Sequence, residues 1–140
     1  MSHNLKMLCV DDHADLRNNL AQQFQDEDFE VDTAEDGDIA IEMLKKKQYD
    51  IVLLDLHMPR MDGMTVLKEM KKLSYFPHVI ILTAVDHVQT AMDCVKLGAT
   101  DYISKPYEVD ELRIIVKNAF EKLTLQEENA RLRQEIGPWP

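Results

Sequence analysis

Short apolar runs recur along the chain, each only a few residues long and several rich in β-branched side chains. Runs of this length that are apolar throughout are typical of strands buried on both faces, as in a parallel sheet. One run is weaker, because Asp32 and Thr33 interrupt its apolar pattern, and this indicates an edge strand. The predicted strands are Met7 to Val10, Val31 to Ala34, Ile51 to Leu54, Val79 to Leu82, and Tyr102 with Ile103.

Amphipathic segments follow each of these runs. In the first segment, Leu16, Leu20 and Phe24 repeat at four-residue spacing, which is the period of one helix face. The second opens near Asp36, and the fourth stops at Gly98, a residue suited to a helix C-terminus. The apolar positions of the later segments are Ile39, Ile41, Met43 and Leu44; Val66, Leu67 and Met70; Val88, Met92, Val95 and Leu97; and Leu112, Ile115, Val116, Ala119, Phe120 and Leu123.

The strict alternation of strand and helix predicts an α/β fold. It is a doubly wound, five-stranded parallel sheet with helices on both faces and right-handed crossovers. Sheets of this kind bind ligands beyond the carboxyl ends of their strands, where the strand order reverses. The residues directly after each predicted strand are therefore the ones to inspect for function.

Polar residues with matching chemistry follow four of the predicted strands. Asp11 and Asp12 come after the first, Asp55 after the third, Thr83 after the fourth, and Ser104 and Lys105 after the fifth. Carboxylates held close together repel one another, and a hard divalent cation relieves that repulsion. Oxygen ligands alone favour Mg²⁺ or Mn²⁺, so the sequence predicts such an ion here.

Each of these residues also has a simpler interpretation. Asp11 and Asp12 are typical of an acidic turn that caps a helix, and Asp62 with Gly63 is typical of a turn. Thr83 can end a strand, and Lys105 can be solvated. Their joint placement at one edge of the sheet is what favours a site.

The chemistry that such a set supports is phosphoryl transfer to a carboxylate. An aspartate can attack as the nucleophile while a metal and an ammonium group neutralise the phosphoryl oxygens. The chain has only four glycines and no glycine-rich phosphate loop. We therefore do not expect the phosphoryl donor to be a nucleotide bound by this chain.

Composition and charge exclude several other classes. The formal net charge of -10 argues against direct nucleic-acid binding and against an anionic membrane surface. Cys9 and Cys94 are far apart and lie on apolar patterns, so we expect buried free thiols and a cytoplasmic location. No apolar run approaches the ~20 residues of a membrane span, and the five histidines show no zinc spacing.

Four stretches carry a family resemblance, because they occur in order at the predicted strand ends. They are Leu8 to Asp12, Val52 to Gly63, Ile81 to Ala84, and Gly98 to Pro106. Together they resemble the receiver domains of bacterial two-component response regulators, over about residues 5 to 123. The resemblance implies a flavodoxin-like strand order of 2-1-3-4-5.

The resemblance implies a phospho-acceptor and a metal site. Asp55 would accept the phosphoryl group, Asp12 would bind Mg²⁺ (or Mn²⁺) directly, and Asp11 would bind it through water. The main-chain oxygen of His57 would complete the protein ligands. The His57 side chain is then either a plain loop residue or a group that tunes hydrolysis of the acyl phosphate.

The resemblance also implies a switch. Lys105 would pair with the phosphoryl group, Thr83 would move to hydrogen-bond it, and Tyr102 would rotate inward. The alternative for Tyr102 is a static, half-buried aromatic residue. The peptide bond between Lys105 and Pro106 is expected to be cis, which only X-Pro bonds adopt cheaply.

The domain boundaries place the receiver at residues 1–123 and a helical linker or coiled-coil tail at residues 124–140, so we expect an extended C-terminal helix. Leu125, Asn129, Leu132 and Ile136 have the spacing of a coiled-coil seam, and a solvated linker is the alternative. This segment resembles the linker to the ATPase output domain in nitrogen-regulator-type transcription activators. We expect a homodimer, through this tail or through the fourth helix, fifth strand and fifth helix.

Three functions compete at this point. The first is a signalling switch that takes its phosphoryl group from a sensor histidine kinase or a phosphotransfer protein and is not an enzyme for an external substrate. The second is a phosphohydrolase with an aspartate nucleophile, in which a second aspartate often stands where this chain has His57. The third is an interaction module that is not phosphorylated.

Overall fold

The computed structural model describes residues 5–58 and 61–119. Strands and helices alternate along this part of the chain as predicted, and a short 3-10 turn, Val85–His87, precedes the fourth helix. Residues 109–119 are helical and are called α5. The other elements are β1 (Lys6–Val10), α1 (Ala14–Gln25), β2 (Glu30–Ala34), α2 (Gly37–Lys46), β3 (Ile51–Asp55), α3 (Gly63–Met70), β4 (His78–Ala84), α4 (Val88–Lys96) and β5 (Asp101–Lys105).

The five strands form one parallel sheet in the order β2-β1-β3-β4-β5. The predicted fold class and strand order are therefore confirmed, and β2 is an edge strand as its interrupted pattern indicated. The strand order reverses between β1 and β3, so the carboxyl ends of these two strands flank the position where ligands bind in such sheets.

Two apolar layers hold the helices against the sheet. On one face, Leu8, Val52 and Ile81 pack with residues of α2, α3 and α4. On the other face, Met7 and Leu53 pack with residues of α1 and α5. Because alternate residues of a strand point to opposite faces, strands that are apolar throughout serve both layers.

The two cysteines are buried free thiols, as expected. Cys9 lies in the layer shared with α1 and α5, and Cys94 lies in the layer shared with α2, α3 and α4. Burial, together with the nearby Asp11 carboxylate, raises the pKa of the Cys9 thiol to about 12. A thiol in this state is protonated and unreactive at neutral pH.

The last two strands extend further than their apolar runs. The prediction ended β4 at Leu82, whereas the strand continues through Thr83 to Ala84, and β5 continues to Lys105. Backbone pairing carries both strands on, since Thr83 pairs with Ser104 and Ala84 with Lys105. Asp55 is likewise the last residue of β3 and does not follow it.

Helix termini follow the predicted signals with one correction. Asp36 caps α2 by accepting a hydrogen bond from the Ile39 N–H at 2.9 Å, and Gly98 adopts a φ of 122° after α4. Asp62 was interpreted as part of a turn, but it caps α3, because its Oδ1 accepts from the Thr65 N–H at 2.9 Å. In the residues described, no helix is long and apolar enough to cross a bilayer.

The proposed coiled-coil tail at residues 124–140 lies outside the described residues, and so does the predicted end of the receiver at residue 123. Both stay predictions.

Candidate functional site

Four neighbouring strands bring the predicted site residues to one edge of the sheet. Asp11 follows β1, Asp55 ends β3, Thr83 lies near the end of β4, and Lys105 ends β5. In the described part of the chain, the buried polar or charged residues are Asp11, Asp55 and Thr83, each with 3% or less of its surface exposed. Buried polar groups are costly unless they are paired, so their concentration here indicates a functional site.

The acidic cluster consists of Asp11, Asp12, Asp55 and one residue that the prediction missed, His13. One potential ligand atom from each of them lies within 4.8 Å of the others. Asp11 Oδ2 and Asp12 Oδ1 are buried and have no hydrogen-bond partner among the described residues. Converging carboxylate oxygens that accept no hydrogen bond fit a hard divalent cation, which adds positive charge to that of the nearby Lys105.

The alternative role of Asp11 and Asp12 as a helix cap does not account for the pair. The N-cap residue of α1 is His13, and no side chain makes the capping hydrogen bond. Asp11 Oδ1 accepts from the His13 N–H at 2.9 Å, while the Arg17 guanidinium donates to the Asp11 carbonyl at 2.8 Å. These contacts hold the start of α1 against β1 and leave one oxygen of each carboxylate directed at the cluster.

The Lys105 side chain lies in the site and is not that of a solvated surface lysine. Its Nζ lies 3.5 Å from Asp55 Oδ1 and 3.7 Å from Asp11 Oδ2, and 28% of its side chain is exposed. Its peptide bond to Pro106 is cis, as expected. An ammonium group beside a buried carboxylate can bind an oxygen of a phosphoryl group.

The electrostatics of Asp55 reflect its crowded surroundings. Burial raises its pKa to about 6; the Lys105 charge and the His57 N–H, which donates to Oδ1 at 3.3 Å, oppose this rise, whereas Asp11 and Asp12 add to it. The ionised form of Asp55 is therefore destabilised in the absence of a further positive charge. At neutral pH the carboxylate is still the main form, and it is the nucleophilic one.

Thr83 is fully buried, but its hydroxyl is poorly bonded. Oγ1 lies 3.3 Å from the Ala84 carbonyl and 3.4 Å from the His87 carbonyl, both long for a hydroxyl donor. Tyr102 lies on the neighbouring strand, half-buried, with its ring against the apolar layer of α2, α3 and α4. A weakly bonded hydroxyl is free to exchange its partner for a stronger acceptor.

Two histidines at the site were missed by the sequence analysis. His13 stands directly after the aspartate pair, so its position was visible, but the direction of its ring depends on the start of α1. His87 was not visible at all, because only the folded β4–α4 connection brings its ring to 4.0 Å from that of His57. The His57 side chain is exposed, and its ring contacts that of His87 at an interplanar angle of 54°.

Comparison with known proteins gives a consistent family. The response regulator receiver domain family matches residues 7–117. Regulatory protein AtoC of Escherichia coli (strain K12) is 36% identical over 132 residues, which make up 94% of this chain and 29% of that protein. Sporulation initiation phosphotransferase F of Bacillus subtilis (strain 168) is 37% identical over 114 residues, 81% of this chain and 92% of that protein.

Solved structures agree with the sequence relatives. The receiver domain of NtrX from Brucella abortus has a TM-score of 0.77 at 32% identity, over 82% of this chain and 98% of that chain. The chain spans only 28–29% of the lengths of AtoC and the NtrX-like regulators of Rickettsia. The match covers most of the described fold and all of the strand ends that build the site, and the chain therefore belongs to the receiver domain family of two-component response regulators.

Proposed function

We propose that Asp55 is the phospho-acceptor of this receiver domain. The observation that carries the proposal is a buried carboxylate that lies close to the Lys105 ammonium and to oxygens of Asp11 and Asp12 that accept no hydrogen bond. A carboxylate oxygen of Asp55 forms the new bond to phosphorus as the phosphorus–nitrogen bond to the donor histidine breaks. The electron pair of that bond stays on the imidazole, and the product on Asp55 is an acyl phosphate.

Mg²⁺ or Mn²⁺ is the cation that this cluster fits. Asp12 would bind it directly, Asp11 through water, and Asp55 and the main-chain oxygen of His57 would supply the remaining protein ligands. When bound, the cation neutralises charge on the transferring group. Lys105, already 3.5 Å from Asp55, is placed to hold a phosphoryl oxygen from the other side.

The same residues supply a switch. Phosphorylation adds up to one further negative charge and strong acceptor oxygens at Asp55. Thr83 can then exchange its two long hydrogen bonds for a charge-assisted one, and Tyr102 on the next strand can turn into the space that Thr83 leaves. A coupling of ~1–3 kcal/mol of this kind shifts a two-state equilibrium by ~5–150-fold.

The partner that supplies the phosphoryl group would be a sensor histidine kinase or a phosphotransfer protein. The output surface would be α4, β5 and α5, where Met92 and Ile114 are 43% and 60% exposed. Exposed apolar side chains of this kind favour contact with a second copy or another protein. We place the protein in the cytoplasm, because both cysteines are free thiols.

Two other functions fit the site less well. A phosphohydrolase that uses an aspartate nucleophile often has a second aspartate two positions later, where this chain has His57. An interaction module without phosphorylation has no need to bury Asp11, Asp55 and Thr83 together. We therefore propose a switch that catalyses only its own phosphorylation and dephosphorylation.

Intact mass after incubation with acetyl phosphate and Mg²⁺ tests the proposal. The wild-type chain should gain one phosphoryl group, and Asp55→Asn should gain none. Asp28→Asn is the matched control, because Asp28 is exposed in the loop after α1 and its φ of 69° suits asparagine equally well. It should label as the wild type does.

Three results would contradict the proposal. Equal labelling of Asp55→Asn and the wild type would reject the acceptor. Release of phosphate in many turnovers without a stable adduct would favour the phosphohydrolase, and an unchanged wild-type mass would favour the interaction module.

A further inference from the structure

The acidic cluster contains a nitrogen donor that sets it apart from an all-oxygen site. His13 Nδ1 lies 3.1 Å from Asp12 Oδ1 and 3.4 Å from Asp11 Oδ1. It belongs to the same group as Asp55, whose ligand atoms all fall within 4.8 Å of one another. The ring is reachable from solvent, since 72% of the side chain is exposed.

The backbone keeps His13 in this position. Its N–H donates to Asp11 Oδ1 at 2.9 Å, and its φ of -88° and ψ of 107° put it at the extended residue that precedes α1. The side chain makes no capping hydrogen bond, so the start of the helix does not use it. Beside it, Asp11 is 1% exposed and its Oδ2 has no hydrogen-bond partner among the described residues, which is a second sign that the group is directed at a ligand.

A nitrogen donor changes which cations a carboxylate cluster prefers. Oxygen-only sites suit Mg²⁺ and Mn²⁺, whereas imidazole suits Co²⁺, Ni²⁺, Cu²⁺ and Zn²⁺, and affinity rises along that series towards copper. We propose that His13 is a further metal ligand, so that the cluster binds Co²⁺ and Zn²⁺ through His13, Asp12 and Asp55 and more tightly than it binds Mg²⁺. The inference rests on the proposed function, because it takes the same cluster to be the metal site.

The consequence is that transition-metal cations compete with Mg²⁺ for the oxygens at Asp55. A cation held by His13 uses the Asp12 and Asp55 oxygens that Mg²⁺ would otherwise use, so Co²⁺ or Zn²⁺ should displace Mg²⁺. An ion pair between His13 and the two aspartates is the simpler alternative, and it predicts no effect of His13 on metal preference.

Calorimetric titration of the metal-free chain with Co²⁺ and, separately, with Mg²⁺ distinguishes these possibilities. His13→Ala should weaken Co²⁺ binding by about tenfold or more and reduce its visible absorption, while Mg²⁺ affinity changes by less than about threefold, since Mg²⁺ prefers oxygen ligands. His87→Ala is the control, because it removes an exposed imidazole from the neighbouring His57–His87 ring pair. It should leave Co²⁺ binding unchanged.

Asp12→Asn separates this inference from the proposed function. If it fails to weaken Mg²⁺ binding, the proposed metal site itself is wrong. If it weakens Mg²⁺ binding but His13→Ala leaves Co²⁺ affinity at the wild-type value, only the role of His13 is wrong. Loss of Co²⁺ binding in His87→Ala would show that the cation binds at the His57–His87 ring pair and would also overturn the inference.

Discussion

At the scale of single residues, the site contains a carboxylate, Asp55, whose ionised form destabilises the fold. Asp55 is buried beside two other carboxylates, and burial is the largest cause of the rise in its pKa to about 6. Its ionised form is therefore disfavoured by its surroundings. The proposed role as nucleophile would account for a carboxylate at the end of an apolar strand, where it does not add to stability.

Replacing Asp55 by asparagine should stabilise the metal-free chain on the order of 1 kcal/mol at pH 7.5. The folded pKa lies above the unfolded value of 3.8, so the native state holds the proton more tightly and its stability falls as pH rises from about 4 to about 6. Asparagine carries no such charge, and the gain over the wild type should shrink as pH falls through this range.

Urea denaturation at pH 7.5 and at pH 4, without divalent cations, measures this difference. A variant that is less stable than the wild type at pH 7.5 would show that Asp55 is well accommodated as an anion.

Gly63 allows the start of α3 to lie against the end of β3. A Cβ at this position would lie 2.8 Å from the Asp55 carbonyl oxygen and 2.8 Å from the Leu56 Cα, and both of these are backbone atoms. Gly63→Ala should therefore destabilise the fold by about 1–3 kcal/mol and displace Asp55. We expect slower labelling by acetyl phosphate at a temperature where circular dichroism shows the variant folded, and a labelling rate equal to that of the wild type would contradict this account.

At the scale of elements, parallel strand pairing explains why the strands were predicted correctly and why the ends of two of them were not. Apolar runs located all five strands, because buried strands need apolar side chains on both faces. They did not locate the ends of β4 and β5, since Thr83 and Lys105 continue the strands through backbone hydrogen bonds that polar residues make equally well. Asp55, Thr83 and Lys105 therefore lie in the last residues of strands, which fixes their positions more firmly than a loop would.

Asp62, the N-cap residue of α3, should make the stability of the fold depend on pH. The Thr65 N–H holds the pKa of Asp62 below its ordinary value, so the stabilisation is present at neutral pH and is lost as pH falls through that lowered pKa. Asp62→Ala should cost about 1 kcal/mol at pH 7, and the difference should shrink as pH falls below the ordinary pKa of 3.8.

Asp62→Asn is the matched control, because an amide oxygen caps a helix about as well and does not titrate. Thermal melts of the three proteins across pH 3 to 7 make the comparison. An asparagine variant as unstable as the alanine variant would show that the cap does not depend on the hydrogen bond to Thr65.

At the scale of the whole molecule, β4 lies between the strand that ends in Asp55 and the edge strand β5. The fold class, the strand order and the convergence of Asp11, Asp55, Thr83 and Lys105 were predictable, because each follows from the alternation of elements and from the rule for parallel sheets. The positions of the imidazoles were not, since ring direction depends on the start of α1 and on the β4–α4 connection. The roles of the site residues stay proposals.

Self-association through the output surface is the prediction that belongs to this scale. Met92 on α4 and Ile114 on α5 are exposed apolar residues next to the edge strand β5. If this surface mediates dimerisation, the phosphorylated chain should sediment as a dimer, and a Met92→Lys/Ile114→Lys double variant should sediment as a monomer. Ile39→Lys on α2, also at an exposed apolar position, is the control and should dimerise normally.

Analytical ultracentrifugation with and without acetyl phosphate makes the measurement. An unchanged dimer in the double variant would move the contact elsewhere, with the segment at residues 124–140 as the next candidate.

The central claim is that the phosphoryl group resides on Asp55 as an acyl phosphate, and chemical mapping of the adduct tests it most directly. Borohydride reduces an aspartyl phosphate to homoserine, whereas a phosphohistidine is not reduced in this way, so the method separates Asp55 from His13, His57 and His87. After phosphorylation with acetyl phosphate and Mg²⁺, reduction and peptide mass analysis, we expect homoserine at position 55 alone. Homoserine at position 11 or 12, or a phosphorylated chain without homoserine, would contradict the account.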